Sequence, residues 1–439
     1  MGESAAKTPF HLLCKPIGPI CNLRCEHCFY LEKRSLYPRG ERFRMSEATL
    51  ERFIHQQIAS QPEGAREIAF AWQGGEPTLV GLDFFRRAVA LQKRHARSGL
   101  RITNALQTNG TRLTPEWGAF LRDEEFLVGI SIDGPPELHD RYRRDARGRG
   151  SFERVLRGLG VLQKYQVEFN TLTCVQRNNG SHPQAVYRFL RGLGSRYMQF
   201  IPIVEHTPET GVSRRSVHPR QFGGFLNGVF DCWRARDIGE VFVQHFDMLL
   251  GIVMGLPASL CVHAERCGRH VAMEHNGDLF HCDHFVDPAH RLGNVMETPL
   301  RELLDSEQAD RFGAHKQEGL PRYCRRCPDL RYCHGGCPAH RIDKAPGGAP
   351  GLNHLCEGYR LFYRHTLPTF EAIATSLRSG RPAAEYAQFE ATRNLSSQNR
   401  SAVPRNAACP CGSGRKYKRC CRPAQSAVSR RSRFPTRSA

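Results

Sequence analysis

Three cysteines near the N-terminus, in the stretch CNLRCEHC, offer soft thiolate ligands for a metal. Cys21, Cys25 and Cys28 have the spacing C-x3-C-x2-C. Zinc and a four-iron cluster each take four ligands, so this set is one ligand short. These residues leave two interpretations open. One is a zinc site completed by a neighbour such as His27, and the other is an iron–sulfur cluster with one iron free to bind a small molecule.

The remaining cysteines are also grouped. Of the 18 in the chain, Cys14, Cys174 and Cys232 stand alone, and the others form groups at 21, 25, 28; at 261, 267, 282; at 324, 327, 333, 337, 356; and at 409, 411, 420, 421. The sequence shows neither a signal peptide nor an apolar stretch of about 18 residues, which predicts a cytoplasmic protein without a membrane span. In a reducing compartment, grouped thiols favour metal over disulfides.

Regular elements that could position these residues extend from about residue 10 to 205. The strand predictions are 10–15, 67–72, 101–107, 126–132, 168–175 and 197–204, and the helix predictions between them are 46–60, 82–97, 114–122, 151–164 and 183–192. Further helices are expected at 219–236, 241–255 and 357–378, and a hairpin turn at Asn276-Gly277. Such alternation predicts β/α units and a parallel sheet.

The unusual residues follow the strands. CNLRCEHC comes after the first strand, QGGEP (73–77) after the second and DGP (133–135) after the fourth. The C-terminal ends of strands form the catalytic face of β/α barrels. Six units are too few for a closed eight-fold barrel, so we expect an open or partial one.

The cysteine motif, followed by Phe29 and Tyr30 and then by QGGEP one strand later, resembles the radical S-adenosylmethionine (SAM) enzymes. The resemblance implies a [4Fe–4S] cluster on the three cysteines, whose open iron chelates SAM and cleaves it to a 5′-deoxyadenosyl radical. It implies that the Gly-Gly-Glu element binds the methionine amino group, with glycines that let the backbone approach the ligand. The residues implied as SAM contacts are His27, Gly74, Gly75, Glu76, Ser131, Asp133, Arg143 and Val204.

The cysteine field at 261–356 resembles the SPASM extension of radical enzymes that modify peptides and proteins. The resemblance implies two auxiliary [4Fe–4S] clusters, one held by Cys261, Cys267, Cys282 and Cys337, the other by Cys324, Cys327, Cys333 and Cys356. From the residues alone, two structural zinc sites remain an alternative.

Residues 10–375 resemble the anaerobic sulfatase-maturating enzymes, through WQGGEPTL, SIDGPPELHDRYR and LFHCDHFV. The resemblance implies oxidation of a cysteine or serine of an unfolded or nascent sulfatase to Cα-formylglycine, by hydrogen abstraction from Cβ. It implies that Asp283 is the base, that Gln73 and Tyr30 lie near the radical, and that a reduced flavodoxin or ferredoxin donates electrons. Two departures are His27, where an aromatic residue is usual, and His284 in HCDHF, where PCDFF-like sequences are usual.

The C-terminal sequence PRNAACPCGSGRKYKRCC, with C-x-C-x8-C-C, resembles the SEC-C zinc motif. The resemblance implies Zn²⁺ on Cys409, Cys411, Cys420 and Cys421, and docking to another protein. A disordered basic tail is the alternative. The net charge is +20, but residues 391–439 contain 12 Lys and Arg and no acidic residue, so we do not expect a nucleic-acid partner.

The expected fold class is therefore α/β. A partial (β/α)6 radical SAM barrel occupies 10–240 and a cysteine-rich SPASM domain occupies 241–378. A linker (379–403), a zinc module (404–423) and a basic tail (424–439) follow. Two other functions stay open: an enzyme that forms a thioether or carbon–carbon crosslink in a ribosomal peptide, and a zinc-bearing interaction protein.

Overall fold

The computed structural model describes residues 9–62, 64–207 and 211–388, together with residue 406 and residues 416–419. The four cysteines predicted to bind zinc, most of the linker and the basic tail lie outside the described residues. The chain divides into two compact units, one up to Phe370 and one from Glu371. The residues of the candidate active site and of the cysteine groups up to Cys356 belong to the first unit.

The strands are short, and the first six lie close to the six predicted positions. They are β1 (His11–Cys14), β2 (Glu67–Trp72), β3 (Arg101–Thr108), β4 (Leu127–Ser131), β5 (Phe169–Val175), β6 (Tyr197–Pro202), β7 (His206–Thr207), β8 (Gly211–Val212), β9 (Phe242–Val243), β10 (His270–Met273), β11 (Asp278–Phe280), β12 (Arg291–Asn294), β13 (Asp343–Lys344) and β14 (Pro350–Leu352).

The helices alternate with the strands from β1 to β6, whereas α9 to α12 follow one another in the cysteine-rich region. They are α1 (Glu47–Ala59), α2 (Leu82–His95), α3 (Pro115–Asp123), α4 (Pro136–His139), α5 (Phe152–Lys164), α6 (Pro183–Gly192), α7 (Pro219–Arg236), α8 (Gln244–Met254), α9 (Leu300–Leu304), α10 (Glu307–Glu318), α11 (Arg322–Arg325), α12 (Leu330–Cys333) and α13 (Cys356–Arg378). Among the described residues, none of these helices is long and apolar enough to span a bilayer.

One large sheet organises the first unit, with the order β12-β11-β10-β1-β2-β3-β4-β5-β6-β9. Strands β1 to β6 pair in parallel in chain order, as the alternating pattern predicts. The predicted α/β class with a parallel sheet is confirmed. In the described chain the sheet ends at β12 and β9 instead of closing on itself.

Strand β10 attaches the cysteine-rich region to the barrel, because it pairs in parallel with β1 from His11↔His270 to Cys14↔Met273. It also pairs antiparallel with β11, and Gly277 in the intervening turn has φ +90°, as the Asn-Gly pair predicts. Because β10 runs parallel to β1, the turn between β10 and β11 lies at the C-terminal end of β1, where the chain leads into the first cysteine motif.

Helix α1 illustrates how the elements are fixed. The side chain of Ser46 accepts a hydrogen bond from the Thr49 backbone N–H (3.0 Å) and so caps the N-terminus of the helix. Phe53 of α1 packs edge-on against Trp72 of β2, with ring centroids 5.8 Å apart, and Phe85 of α2 packs on the same tryptophan at 5.6 Å. Burying side chains of this size stabilises the fold by about 1.5–3 kcal/mol each.

Candidate active site

A cavity of about 420 Å³ opens at the C-terminal ends of the parallel strands. Twelve of the fourteen residues predicted for the first cluster, for SAM binding and for catalysis line it: Cys21, Cys25, His27, Cys28, Tyr30, Gln73, Gly74, Gly75, Ser131, Arg143, Val204 and Asp283. The other two, Glu76 and Asp133, are fully buried behind its wall. The fold thus brings together residues as far apart in the chain as Cys21 and Asp283.

The cysteine loop is held by backbone hydrogen bonds to a second segment. Arg24 N–H donates to Arg144 O (2.7 Å), and Glu26 N–H donates to Tyr142 O (3.0 Å). Burial raises the pKa of Cys21 to about 12 and that of Cys25 to about 11, so a bound cation is needed to keep them as thiolates near neutral pH.

The QGGEP turn packs directly on the start of this loop. Gly75 N–H donates to Gly18 O (2.8 Å), and a Cβ on Gly75 would lie 2.0 Å from Ile20 O. Gly74 has φ +128°, in the region that favours glycine. The glycines therefore let two backbone segments touch, in addition to the approach to a ligand expected from the sequence.

Glu76 fastens this turn to the loop after β3. Its carboxylate accepts hydrogen bonds from Thr108 Oγ1 (2.7 Å) and from the backbone N–H groups of Asn109 (2.7 Å) and Thr78 (3.1 Å). Burial raises the pKa of Glu76, and these hydrogen bonds oppose the rise. The side chain supports the cavity wall from behind.

Asp133 and Arg143, predicted as separate SAM contacts, form a bidentate ion pair with each other. Arg143 Nε lies 2.7 Å from Asp133 Oδ2, and Nη2 lies 3.1 Å from Oδ1. Burial would raise the pKa of Asp133, but Arg143 holds it below its usual range. Arg143 also donates to Cys174 Sγ (3.3 Å) and lines the cavity, so its guanidinium is positioned beside the ligand space.

His27 is buried beside this pair, with Nε2 4.0 Å from Asp133 Oδ2. Burial, together with the nearby Arg143, lowers the pKa of His27 to about 4. Its ring packs edge-on against Tyr142 at 6.2 Å between centroids. The ring is therefore neutral at physiological pH, and in that state it resembles the aromatic residue usual at this position.

Asp283 lines the same cavity as the cysteine motif, in an environment the sequence did not reveal. The fully buried Lys15 donates a hydrogen bond to the Asp283 carboxylate. The Lys15 ammonium also lies 3.4 Å from the centroid of the Tyr30 ring, and the Tyr30 hydroxyl donates to the buried Glu274. Sequence reasoning missed Lys15 and Glu274, although the place of Lys15 directly after β1 was an available signal.

Gln73 directly follows β2, and one of the two polar atoms of its side-chain amide is hydrogen-bonded. Its Nε2 donates to Gln107 Oε1 at 2.7 Å, and both side chains line the cavity. Its Oε1 is buried and has no hydrogen-bond partner among the described residues. That oxygen is an acceptor a ligand could use.

Two groups of four cysteines lie beyond this cavity. Cys324, Cys327, Cys333 and Cys356 together line a small enclosed cavity of about 20 Å³. Burial, reinforced by the other three thiols, raises the pKa of Cys356 to about 12. The predicted second ligand set is thus brought together by the fold.

The other group contains Cys261, Cys267, Cys282 and Cys337. Burial raises the pKa of the first three, and the nearby Cys337 adds to each rise. Burial would also raise the pKa of Cys337, but His284, with Nδ1 3.4 Å from its sulfur, brings it below its usual value. The buried Lys316 donates to Cys261 O (2.7 Å) and fixes the loop that carries this group.

The thiols in these three sets are all free. Within the ranges 9–62, 64–207 and 211–388, no three His, Cys, Asp or Glu side chains are grouped as ligands of a single metal ion. An iron–sulfur cluster is a larger ligand than one ion, and cysteine thiolates are the donors it takes. The donor sets of three, four and four cysteines therefore fit clusters.

Comparisons with known proteins agree with this composition of the site. Residues 16–190 match the radical SAM superfamily, residues 261–328 match an iron-sulfur cluster-binding domain called SPASM, and residues 405–423 match the SEC-C motif.

Similar proteins cover most of the chain. A serine-type anaerobic sulfatase-maturating enzyme of Bacteroides thetaiotaomicron is 40% identical, over 84% of this chain and 92% of its own. A cysteine-type enzyme of Clostridium perfringens is 33% identical, over 84% of this chain and 100% of its own. The solved structure described as native anSMEcpe with bound AdoMet and Cp18Cys peptide superposes with a TM-score of 0.76, at 33% identity over 84% of this chain and 99% of that one.

Proposed function

Because the chain belongs to the anaerobic sulfatase-maturating enzymes of the radical SAM superfamily, we propose that it oxidises a serine or cysteine side chain of a sulfatase polypeptide to Cα-formylglycine. The observation that carries the proposal is one cavity that is lined both by the three-cysteine motif and by Asp283. This arrangement supports hydrogen abstraction and proton removal at one substrate side chain.

Cys21, Cys25 and Cys28 would hold a [4Fe–4S] cluster. When bound together, this cluster and SAM would supply 5′-deoxyadenosyl radical chemistry, which is able to remove a hydrogen atom from the substrate Cβ. Gly74, Gly75, Ser131 and Val204 line the cavity and are proposed SAM contacts, with Glu76 and Asp133 supporting from behind. Arg143 would face the SAM carboxylate, and the neutral His27 ring would stack on adenine.

Asp283 would act as the base. Forming a carbon–oxygen or carbon–sulfur double bond at Cβ requires that the substrate also lose the proton of its hydroxyl or thiol and one further electron. The Asp283 carboxylate would accept the proton, and Lys15 would hold the carboxylate in place. A thioaldehyde product hydrolyses to the aldehyde. Gln73 and Tyr30 would orient the reacting side chain.

The remaining electron calls for an acceptor near Asp283. Cys282, the neighbour of Asp283, belongs to the first four-cysteine group, which would hold an auxiliary [4Fe–4S] cluster able to accept an electron. The group formed by Cys324, Cys327, Cys333 and Cys356 would hold a second one. The chain would therefore contain three clusters.

The proposed partners follow from the same chemistry. A reduced flavodoxin or ferredoxin would donate the electron that cleaves SAM, and the sulfatase would be bound unfolded or nascent.

The SEC-C match at residues 405–423 supports a zinc site on Cys409, Cys411, Cys420 and Cys421 that docks another protein. Oxygen-sensitive clusters and free thiols favour the cytoplasm.

The test uses anaerobically reconstituted protein with SAM, a reductant and two sulfatase peptides that differ only in serine or cysteine. The expected product is the aldehyde, identified by mass spectrometry and by its reaction with a hydrazide. Reductive cleavage of SAM with both peptides unmodified would contradict the proposal. A cysteine peptide that loses hydrogen but retains its sulfur would instead favour the crosslinking alternative.

A further inference from the structure

One side chain in the cavity wall also contacts a sulfur of the first four-cysteine group. His284 lines the cavity next to Asp283, and its Nδ1 lies 3.4 Å from Cys337 Sγ. This separation is within the range of a hydrogen bond to sulfur, which is longer than one to oxygen. His284 is thus placed between the space for the substrate and a cysteine that we assign to an auxiliary cluster.

The orientation of the His284 ring is set by aromatic neighbours. Phe29 packs against it edge-on, with ring centroids 5.7 Å apart and planes at 79°. His340 packs on it at 5.7 Å and 34°. These contacts come from the cysteine loop and from the turn after Cys337, so the ring is held where Nδ1 faces the sulfur.

We infer that His284 is a positioning residue that donates a hydrogen bond to the Cys337 thiolate and so raises the reduction potential of the auxiliary cluster beside Asp283. The inference rests on the proposed function, because it takes Cys337 as a cluster ligand. A hydrogen bond to a cluster sulfur withdraws electron density and stabilises the reduced, more negative cluster. The cluster would accept the electron left on the substrate more readily.

No change in the charge of His284 is required. The neutral ring with its proton on Nδ1 is able to donate this hydrogen bond, and the imidazolium would donate a stronger one. The expected shift in reduction potential therefore comes from the hydrogen bond and requires no change in charge.

The chain offers a matched control in His281, which flanks Asp283 on the other side. Its ring stacks face to face on Phe312, with centroids 4.4 Å apart and planes at 11°. Replacing His281 with Phe makes the same chemical change at nearly the same sequence position, while the His284–Cys337 hydrogen bond remains.

The experiment is a redox titration in which the auxiliary clusters are monitored by electron paramagnetic resonance. The background is the full chain with Cys21→Ala, Cys25→Ala and Cys28→Ala, so that only auxiliary clusters contribute. His284→Phe keeps a ring between Phe29 and His340 but removes the donor, and His284→Gln keeps a donor. We expect a lower midpoint potential for one auxiliary signal in His284→Phe, no shift in His281→Phe, and an intermediate potential in His284→Gln.

Unchanged potentials in His284→Phe, with iron content equal to the background protein, would overturn the inference and leave the proposed function intact. If His284→Phe loses iron, the comparison of His284→Gln with the background decides: the inference expects a potential below that of the background, and a potential equal to or above it overturns the inference. A background protein without any auxiliary signal would refute the cluster assignment and the inference together.

Discussion

The buried Lys15 ammonium donates a hydrogen bond to Asp283, a carboxylate 268 residues later in the chain. Lys15 follows β1 and Asp283 follows β11, and the strand that joins them in the sheet is β10. The position of the proposed base is therefore determined by the barrel strand that also precedes the cysteine motif. Substitutions of Asp283 and Lys15 should therefore affect the proposed proton transfer.

Asp283→Asn should lower formylglycine production much more than reductive cleavage of SAM. An amide cannot accept the substrate proton, so formylglycine production should fall by about 10²–10⁴-fold. Reductive cleavage of SAM should largely persist, because the cysteine motif and the SAM contacts are untouched. The measurement is 5′-deoxyadenosine and aldehyde quantified in the same reaction, and equal loss of both products would argue against Asp283 as the base.

Lys15→Met should act through Asp283. Losing the buried partner leaves the carboxylate without its hydrogen bond and should cost about 1–3 kcal/mol of stability. Aldehyde formation should fall while SAM cleavage changes less. In a double-mutant cycle with Asp283→Asn, the two effects on aldehyde formation should be far from additive. Additive effects would mean that Lys15 acts independently of Asp283.

Gly75→Ala should disturb the cysteine loop, because its Cβ would collide with Ile20 O at 2.0 Å. The expected result is loss of about one cluster of the three, or about four irons of twelve, with the auxiliary signals preserved. Gly160→Ala is the control, since it adds a methyl group to helix α5 with nothing within 4 Å, and it should retain full iron. Full iron in Gly75→Ala would show that the loop tolerates the displacement.

Metal analysis tests the ligand assignments as a whole. The full chain should contain about twelve irons and about one zinc, and chelation of the iron should abolish SAM cleavage. Several zinc ions with no iron would instead support the zinc-bearing interaction protein.

His245 should make the protein sensitive to acid. Burial lowers its pKa to about 4 in the folded protein, below the usual value near 6.5. As the pH falls from about 6.5 to about 4, the unfolded chain binds a proton that the folded chain does not, so stability should fall by up to about 1.4 kcal/mol per pH unit. Unfolding by urea at pH 7 and pH 5 should show a smaller difference for His245→Phe than for the unmodified protein. An equal difference would mean that other groups account for the acid sensitivity.

Local patterns in the sequence determined much of the fold. The runs at 67–72 and 183–192 coincide with β2 and α6, because each pattern is long enough to show its period. The two-residue strands β7 and β13 have no period to detect. The parallel pairing of β10 with β1 joins residues about 259 positions apart, and no local pattern specifies such a partner.

The candidate site was also only partly predictable from local patterns in the sequence. The cysteine groups could be assigned from spacing and resemblance. The contacts Lys15–Asp283 and His284–Cys337 could not, because both are side-chain contacts created by the fold. The pairing of Asp133 with Arg143 was missed for a related reason, since both residues were assigned to the ligand separately and neither motif showed that they face each other.

The pairing of β1 with β10 also has a consequence for biosynthesis. Until the ribosome has synthesised residue 273, β1 lacks its outer neighbour and is an edge strand with free backbone hydrogen-bonding groups. A nascent or truncated chain that ends earlier would expose this edge beside the cysteine motif and would tend to aggregate. Cluster insertion at Cys21, Cys25 and Cys28 is therefore expected to follow synthesis of the cysteine-rich region, although these cysteines leave the ribosome first.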